Sequence, residues 1–418
     1  MAKKKKRGSN ALIVILVAAI VLLGAGSLLL YYAEPSLALN GDEEVELGLC
    51  QVYKDPGVSA KRWGQDISDQ VKVTSSLDTQ RPGRYMTVYT LGNLSAKRYI
   101  TVKSTMDPVL KLKGKDHISV LLGETFEEPG YSASDSAGKD LTKRVRVKKT
   151  DFRKAGKNEL QYSVTDADGK TTVVTRQVQV LPNTEHETPG LPICMYHYVY
   201  DENDPPADLY KRYGNYIGAA ALEEELEWLK SEDYYFPTWR EVRDYVDGKL
   251  LLPEKSIVLC FDDGAKSFLE EGVPVLEKCR VPATCFLIGS EKGREKVSQY
   301  ESEYVTYQSH SYNMHRPGGN VGHGGIFTAL TEEDALTDLQ TSIRICGNDD
   351  AFAYPYGDYT QRCRDIVEEA GFSCAVTTEE GKAKPGMDPL LLPRIRMSLG
   401  QSLSHYQYLV APPESRWH

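Results

Sequence analysis

The chain is 418 residues long, 41% hydrophobic and 26% charged, ordinary figures for globular protein with room for about two to four domains. Its 50 Lys and Arg face 59 Asp and Glu; without the five basic residues at positions 3–7 the balance is 45 against 59, or −14. So acidic a body argues against nucleic acid as a partner and is compatible with a neutral or cationic glycan.

Residues 1–10 form a basic tail, with lysine at positions 3–6 and then Arg7. Residues 11–32 carry no charge at all. As a helix they extend about 33 Å, enough to cross a bilayer. A signal-peptide core is shorter, and no small-x-small cleavage site precedes Glu34. The positive-inside rule keeps the tail in the cytoplasm. The sequence therefore predicts one transmembrane anchor over 11–32, with everything from about Glu34 outside the cell. Eight cysteines follow, at Cys50, Cys194, Cys260, Cys279, Cys285, Cys346, Cys363 and Cys374, in a compartment where disulfides form. Cys194 and Cys260 lie in apolar strand-like runs, where a reduced cysteine is a small hydrophobe. No CxxC pair is present, so a zinc ribbon has no support.

Behind the anchor the sequence repeats. Leu37-Ala38-Leu39-Asn40-Gly41 aligns with Leu110-Lys111-Leu112-Lys113-Gly114, and Asp55-Pro56-Gly57 with Glu128-Pro129-Gly130, at a constant offset of 73. Gly83 and Tyr89 likewise align with Gly156 and Tyr162. Short alternating runs separated by Gly, Pro and Asp turns predict a small β-sandwich in each copy, over 35–105 and 108–181. The two copies resemble bacterial Ig-like surface domains. That resemblance implies either binding modules or, the reading adopted, a stalk that lifts the next domain off the membrane. Residues 182–190, with Pro182 and Pro189, are a linker.

From 191 to 418 strand and helix patterns alternate. Strands are predicted over 191–196, 257–261, 283–288, 351–354 and 372–376. Between them lie helical stretches: 221–231 with Leu222, Leu226 and Leu229 on one face, and one ending at Cys279. A third is capped by Thr331, with Leu336, Leu339 and Ile343 on one face, and a fourth, over 361–370, is stopped by Gly371.

The strand Ile257-Val258-Leu259-Cys260-Phe261 runs straight into Asp262-Asp263-Gly264. In α/β barrels and sheets, ligands gather at this C-terminal end. Two adjacent carboxylates need a metal, an arginine or a shared proton beside them. A catalytic zinc site takes three protein ligands and leaves one position for water. Asp263, His310 and His315 supply one carboxylate and two imidazoles. Asp262 is then free to take a proton from the attacking water, and a further histidine across the site can return one to the leaving group.

On these residues the domain resembles the NodB-homology polysaccharide deacetylases, carbohydrate esterase family 4, over residues 191–410. Phe261-Asp262-Asp263-Gly264 is similar to that family's first motif, catalytic base followed by metal ligand. The stretch from His310 to His315 is similar to the second, metal-binding motif. Tyr354-Pro355-Tyr356-Gly357 is similar to the third, whose aromatic residue lines the groove and whose backbone N–H helps hold the oxyanion. Cys194-Met195-Tyr196-His197 resembles the catalytic-histidine element, moved to the start of the domain as in the permuted branch that includes poly-N-acetylglucosamine deacetylases. The resemblance implies a distorted (β/α)7 barrel, a divalent metal, zinc, and His197 as the acid.

Two departures stand out. The family spaces its two histidines i and i+4; here the spacing is i and i+5, about 140° apart on a regular helix. Convergence therefore needs a loop or a π-type turn, and His323 is the reserve ligand. The arginine that usually pairs with the catalytic aspartate is replaced by Phe352-Ala353. Arg394, in Leu392-Pro393-Arg394-Ile395-Arg396, is the candidate substitute, and would keep Asp262 ionised. His117, His186, His405 and His418 read as solvated or structural. The tyrosines clustered over 196–216 and at Tyr234 and Tyr235 suit sugar stacking and plain packing equally.

The sequence thus predicts a membrane-anchored, extracellular, metal-dependent N-deacetylase, with surface polysaccharide and cell wall as partners and no nucleic acid. An O-acetyl esterase with the same site, or a glycan-binding surface protein with an inactive barrel, is the alternative. Peptidoglycan, poly-N-acetylglucosamine and chitin fragments all remain open as polymers.

Overall fold

A computed structural model describes residues 13–24, 34–104, 106–148 and 150–412. Residues 13–24 are helical and exposed, and among the described residues no helix is long and apolar enough to cross a membrane. The transmembrane anchor predicted over 11–32 is therefore not supported as a spanning helix. Its other residues, and the tail 1–10, lie outside the described residues.

The described residues divide into two compact units, and the division runs through the second repeat. In the first unit, Ser36–Leu39 pairs antiparallel with Val58–Arg62, which pairs with Gln65–Asp66. A second sheet has the order Glu44–Gly48, Leu94–Lys103, Gly83–Leu91, Lys72–Ser75, its first pair parallel and the others antiparallel. Leu47, Ile100 and Val102 fill its core. Beside them Arg98 is wholly buried. It donates to the Asp42 carbonyl at 2.9 Å and the Asn40 carbonyl at 2.6 Å, and pairs with Asp55, which also accepts from the Tyr89 hydroxyl. The second repeat builds the same arrangement from buried Arg176, Glu128 and Tyr162. The repeated acid-Pro-Gly motif thus carries the acid that neutralises a buried arginine, without which the guanidinium would be an uncompensated charge.

In the second unit, residues 177–181 pair in parallel with His117–Leu121. Seven strands then close into an all-parallel barrel. They are β1 (Ile193–Tyr196), β2 (Val258–Phe261), β3 (Ala283–Leu287), β4 (Val305–Ser309), β5 (Ala351–Ala353), β6 (Cys374–Glu380) and β7 (Leu392–Arg396). This is the predicted (β/α)7 barrel, and its distortion is visible in the short β5 and in a register shift between Val376 and Glu380 of β6.

Helices α1 (Ala219–Ser231), α2 (Trp239–Val246), α3 (Val273–Cys279), α4 (Gly293–Gln299), α5 (Glu332–Cys346), α6 (Gln361–Glu369) and α7 (Leu403–Val410) surround it. Residues of β2 are buried throughout, as a strand covered on both faces requires. Leu222, Leu226 and Leu229 of α1 pack fully into the core. The Thr331 side chain accepts the Asp334 N–H at 3.2 Å to cap α5, which ends on Gly347 in the left-handed region. None of the eight cysteines is disulfide-bonded.

Candidate active site

The barrel strands deliver their residues to one rim. His197 follows β1, Asp262 and Asp263 follow β2, His310 follows β4, Tyr356 follows β5, and Arg394 lies in β7. The backbone turns sharply here. Asp263 has φ 72°, Ser311 φ 71° and Tyr356 φ 61°, in the left-handed region that side chains avoid. Strain of this kind persists where surrounding structure enforces it, and it is concentrated at functional sites. Gly264, at φ 60°, is required for space as well: a Cβ there would meet Leu287 Cδ1 at 2.4 Å. The Asp262 N–H donates to the Tyr196 carbonyl at 2.9 Å, which fixes the start of the turn.

The two aspartates have different surroundings. Asp262 is buried and gives both oxygens to Arg394, Oδ1 to Nη1 at 2.8 Å and Oδ2 to Nη2 at 2.7 Å. Arg394 is 1% exposed and is itself aimed by its Nε, which donates to the Thr377 carbonyl at 2.8 Å. Burial pushes the Asp262 carboxyl up. The Arg394 charge and its two hydrogen bonds outweigh that and hold the carboxyl well below the usual carboxylate range. Asp262 is thus an ionised but weakly basic group. The sequence placed Arg394 here, and the geometry does bring it to Asp262.

Asp263 faces the histidines. Its Oδ1 is buried without a hydrogen-bond partner, 3.6 Å from His310 Nε2 and 3.5 Å from His315 Nε2. The three ligand atoms all lie within 4.8 Å of one another. His310 Nδ1 sits 2.7 Å from the Ala353 carbonyl, so Nδ1–H donates there and Nε2 keeps its lone pair for the site. Donor atoms about 2.0–2.1 Å from a tetrahedral zinc are about 3.3–3.4 Å apart, close to the two Asp263 separations. An orphaned carboxylate oxygen opposite two imidazole nitrogens therefore fits a divalent cation of the zinc type. Burial and then the neighbouring His310 push His315 down to about 4, so its ring is neutral, as a ligand must be.

The i and i+5 spacing converges because the segment is a loop. Asp338 of α5 accepts the Tyr312 N–H at 2.7 Å and the Asn313 N–H at 2.8 Å. The Ser311 hydroxyl accepts the Met314 N–H at 3.0 Å, and Met314 is wholly buried. The His315 ring stacks on Tyr356 with centroids 4.3 Å apart. The reserve ligand His323 lies elsewhere, with its side chain 74% exposed and its Nδ1 3.2 Å from Asp358.

His197 is partly buried, and its Nδ1 is out of solvent without a partner. Burial lowers its pKa, against the opposing charges of Asp262 and Asp263. Around Tyr356 the turn is closed by the Gly357 N–H on Tyr354 and the Asp358 N–H on Pro355, so the Tyr356 N–H takes no part in closing it. Sequence reasoning missed three supports: Asp338, the Thr377 carbonyl, and Tyr198, whose hydroxyl donates to Asp263 Oδ2 at 3.0 Å. The adjacency of Tyr198 to His197 was the available signal; Asp338 and Thr377 had none.

Residues 250–375 match the polysaccharide deacetylase family, and residues 37–102 and 110–180 match the Ig-like domain of bacterial surface proteins. The chain therefore carries a polysaccharide deacetylase domain preceded by two bacterial surface Ig-like domains. It is 26% identical over 206 residues to the poly-β-1,6-N-acetyl-D-glucosamine N-deacetylase of Staphylococcus aureus, across 45% of this chain and 70% of that one. Among solved structures, the deacetylase PplD of Streptococcus pyogenes, in complex with acetate, aligns with TM-score 0.47 and 22% identity over 56% of this chain and 100% of that one. IcaB from Ammonifex degensii aligns with TM-score 0.44 and 25% identity, over 53% and 97%.

Proposed function

We propose that the chain is a zinc-dependent deacetylase that removes N-acetyl groups from a polymer of N-acetylglucosamine units outside the cell. One observation carries this reading. The adjacent aspartates are divided between two tasks, Asp262 held ionised by Arg394 and Asp263 facing two imidazole nitrogens with an unpartnered oxygen. The kinship with a poly-β-1,6-N-acetyl-D-glucosamine N-deacetylase supports the substrate class.

Asp263, His310 and His315 would hold the metal. When bound, the cation supplies positive charge that polarises the acetyl carbonyl and acidifies water enough for a weakly basic carboxylate to serve. Asp262 accepts the proton of the attacking water. The Tyr356 N–H donates to the oxygen on which negative charge develops. His197 donates a proton to the departing amine. The products are acetate and a free amine, which adds positive charge to the polymer.

The uncharged run 11–32 behind a basic tail supports attachment to the membrane with the barrel outside. The Ig-like domains then act as a stalk, and the cell wall is within reach. Fractionation of whole cells tests this: the protein should sediment with membranes and be trimmed by added protease. The activity is tested by acetate release from matched N-acetylated and O-acetylated polymers with zinc present. Release from the N-acetylated polymer is expected. Release from the O-acetylated one alone would make the protein an esterase, and release from neither would leave a binding protein.

A further inference from the structure

The two oxygens of Asp263 have different fates. Oδ1 faces His310 and His315 and makes no hydrogen bond, whereas Oδ2 accepts from the Tyr198 hydroxyl at 3.0 Å. That hydroxyl accepts in turn from Arg212 Nη1 at 3.1 Å, which leaves its own proton committed to Asp263. The Arg212 guanidinium also lies over the Tyr198 ring, 5.7 Å from its centroid. Arg212 belongs to the segment Leu209–Asn215 and is steadied by Asp208, 3.3 Å from its Nε. The other Asp208 oxygen accepts from the Tyr216 hydroxyl at 3.0 Å, and the Tyr216 ring packs on Tyr198 at 5.0 Å. The segment is tied to the end of the barrel by Leu399 N–H on the Tyr213 carbonyl at 2.9 Å and by Arg396 on Asn215 at 3.0 Å.

A carboxylate beside a cation can turn, or offer both oxygens. A hydrogen bond on one oxygen removes that freedom and aims the other. We propose that Tyr198 is the positioning residue of Asp263, holding it as a one-oxygen metal ligand, and that Arg212 holds Tyr198 from the segment Leu209–Asn215. This rests on the reading of Asp263, His310 and His315 as a metal site. Neither residue touches the substrate in this assignment, so the primary effect is on metal retention and not on the chemical step.

The test is zinc affinity of the full chain, by competition with a chromogenic chelator, beside the melting temperature of the metal-free protein and acetate release at saturating zinc. Tyr198→Phe should weaken zinc about 10–100-fold, the usual loss when a partner of a metal ligand is removed. Arg212→Ala, at an exposed side chain where folding is not at risk, should weaken it about threefold. Tyr200→Phe, which removes a hydroxyl from the same stretch of chain, should bind zinc like the parent. Acetate release by Tyr198→Phe should return when zinc is raised to saturation. Unchanged zinc affinity in both Tyr198→Phe and Arg212→Ala overturns the proposal, as does a lower melting temperature with affinity intact. Should Tyr198→Phe fail to fold, unchanged affinity in Arg212→Ala decides against it. Equal zinc binding by the parent and Asp263→Asn would instead refute the metal site itself.

Discussion

Replacing Arg394 by methionine keeps the bulk of the side chain and removes its charge. Arg394 and Asp262 are 0% and 3% exposed at their side chains and share two hydrogen bonds of 2.7 and 2.8 Å. Removal of one partner from such a pair leaves the other as an uncompensated buried charge, at about 3–5 kcal/mol. The Thr377 carbonyl loses its donor as well. Arg394→Met should therefore destabilise the barrel by at least about 3 kcal/mol at neutral pH. The double variant Asp262→Asn with Arg394→Met removes the stranded charge and should recover about 2 kcal/mol of that loss.

The pH dependence has a definite sign. Arg394 holds Asp262 below its ordinary value in the fold, so the pair stabilises above the unfolded value of about 3.9 and loses this as pH falls toward the folded one. In Arg394→Met the largest influence opposing burial is gone and the carboxyl takes up a proton more readily, so the deficit against the parent shrinks in acid. Urea unfolding followed by the fluorescence of Trp228 and Trp239, both in the barrel domain, measures these differences. An Arg394→Met protein as stable as the parent, or a double variant no more stable than the single, would refute the reasoning.

Glu225 of α1 is 3% exposed and accepts from the Tyr196 hydroxyl at 2.7 Å. Burial pushes its carboxyl from 4.5 up to about 8, so the fold keeps a proton that the unfolded chain loses. Stability should fall between those two values as pH rises, by up to about 1.4 kcal/mol per pH unit. Glu225→Gln should flatten that slope and be the more stable protein at pH 8; denaturation at several pH values checks it, and an unaltered slope would count against the protonated state. Asp338→Ala removes the acceptor of two loop N–H groups and should loosen His315, with zinc affinity lowered about 10–100-fold in chelator competition and the melting temperature of the metal-free protein little changed.

The barrel was legible because its strands are nearly continuous apolar runs ending in polar residues, as in Val258–Phe261 before Asp262. The Asp-Asp pair announced its need for compensation, and Arg394 was the available cation. That Arg394 reaches Asp262 depends on the neighbouring positions of β7, β1 and β2 in the closed barrel, a long-range fact. The histidine spacing was the hardest to read. Ligands at i and i+5 do not share a face of a regular helix, and the loop that resolves it is organised by Asp338, 23 residues beyond His315 on a helix with its own cap. The buried arginines Arg98 and Arg176 escaped notice because they fall outside the constant offset of 73, although their acids Asp55 and Glu128 lie within it. Of the anchor predicted over 11–32, residues 13–24 are described and the others lie outside the described residues.

The division of labour between adjacent aspartates is open to a single paired measurement: metal content by mass spectrometry beside acetate release, on folded Asp262→Asn and Asp263→Asn proteins. Asp263→Asn should lose both the metal and the activity, since an amide oxygen is a weaker ligand than a carboxylate. Asp262→Asn should keep the metal and lose about 10²–10⁴-fold in rate, the usual range for removal of a general base. Metal lost from Asp262→Asn and retained by Asp263→Asn would reverse the two roles, and undiminished acetate release by both would place the chemistry elsewhere in the protein.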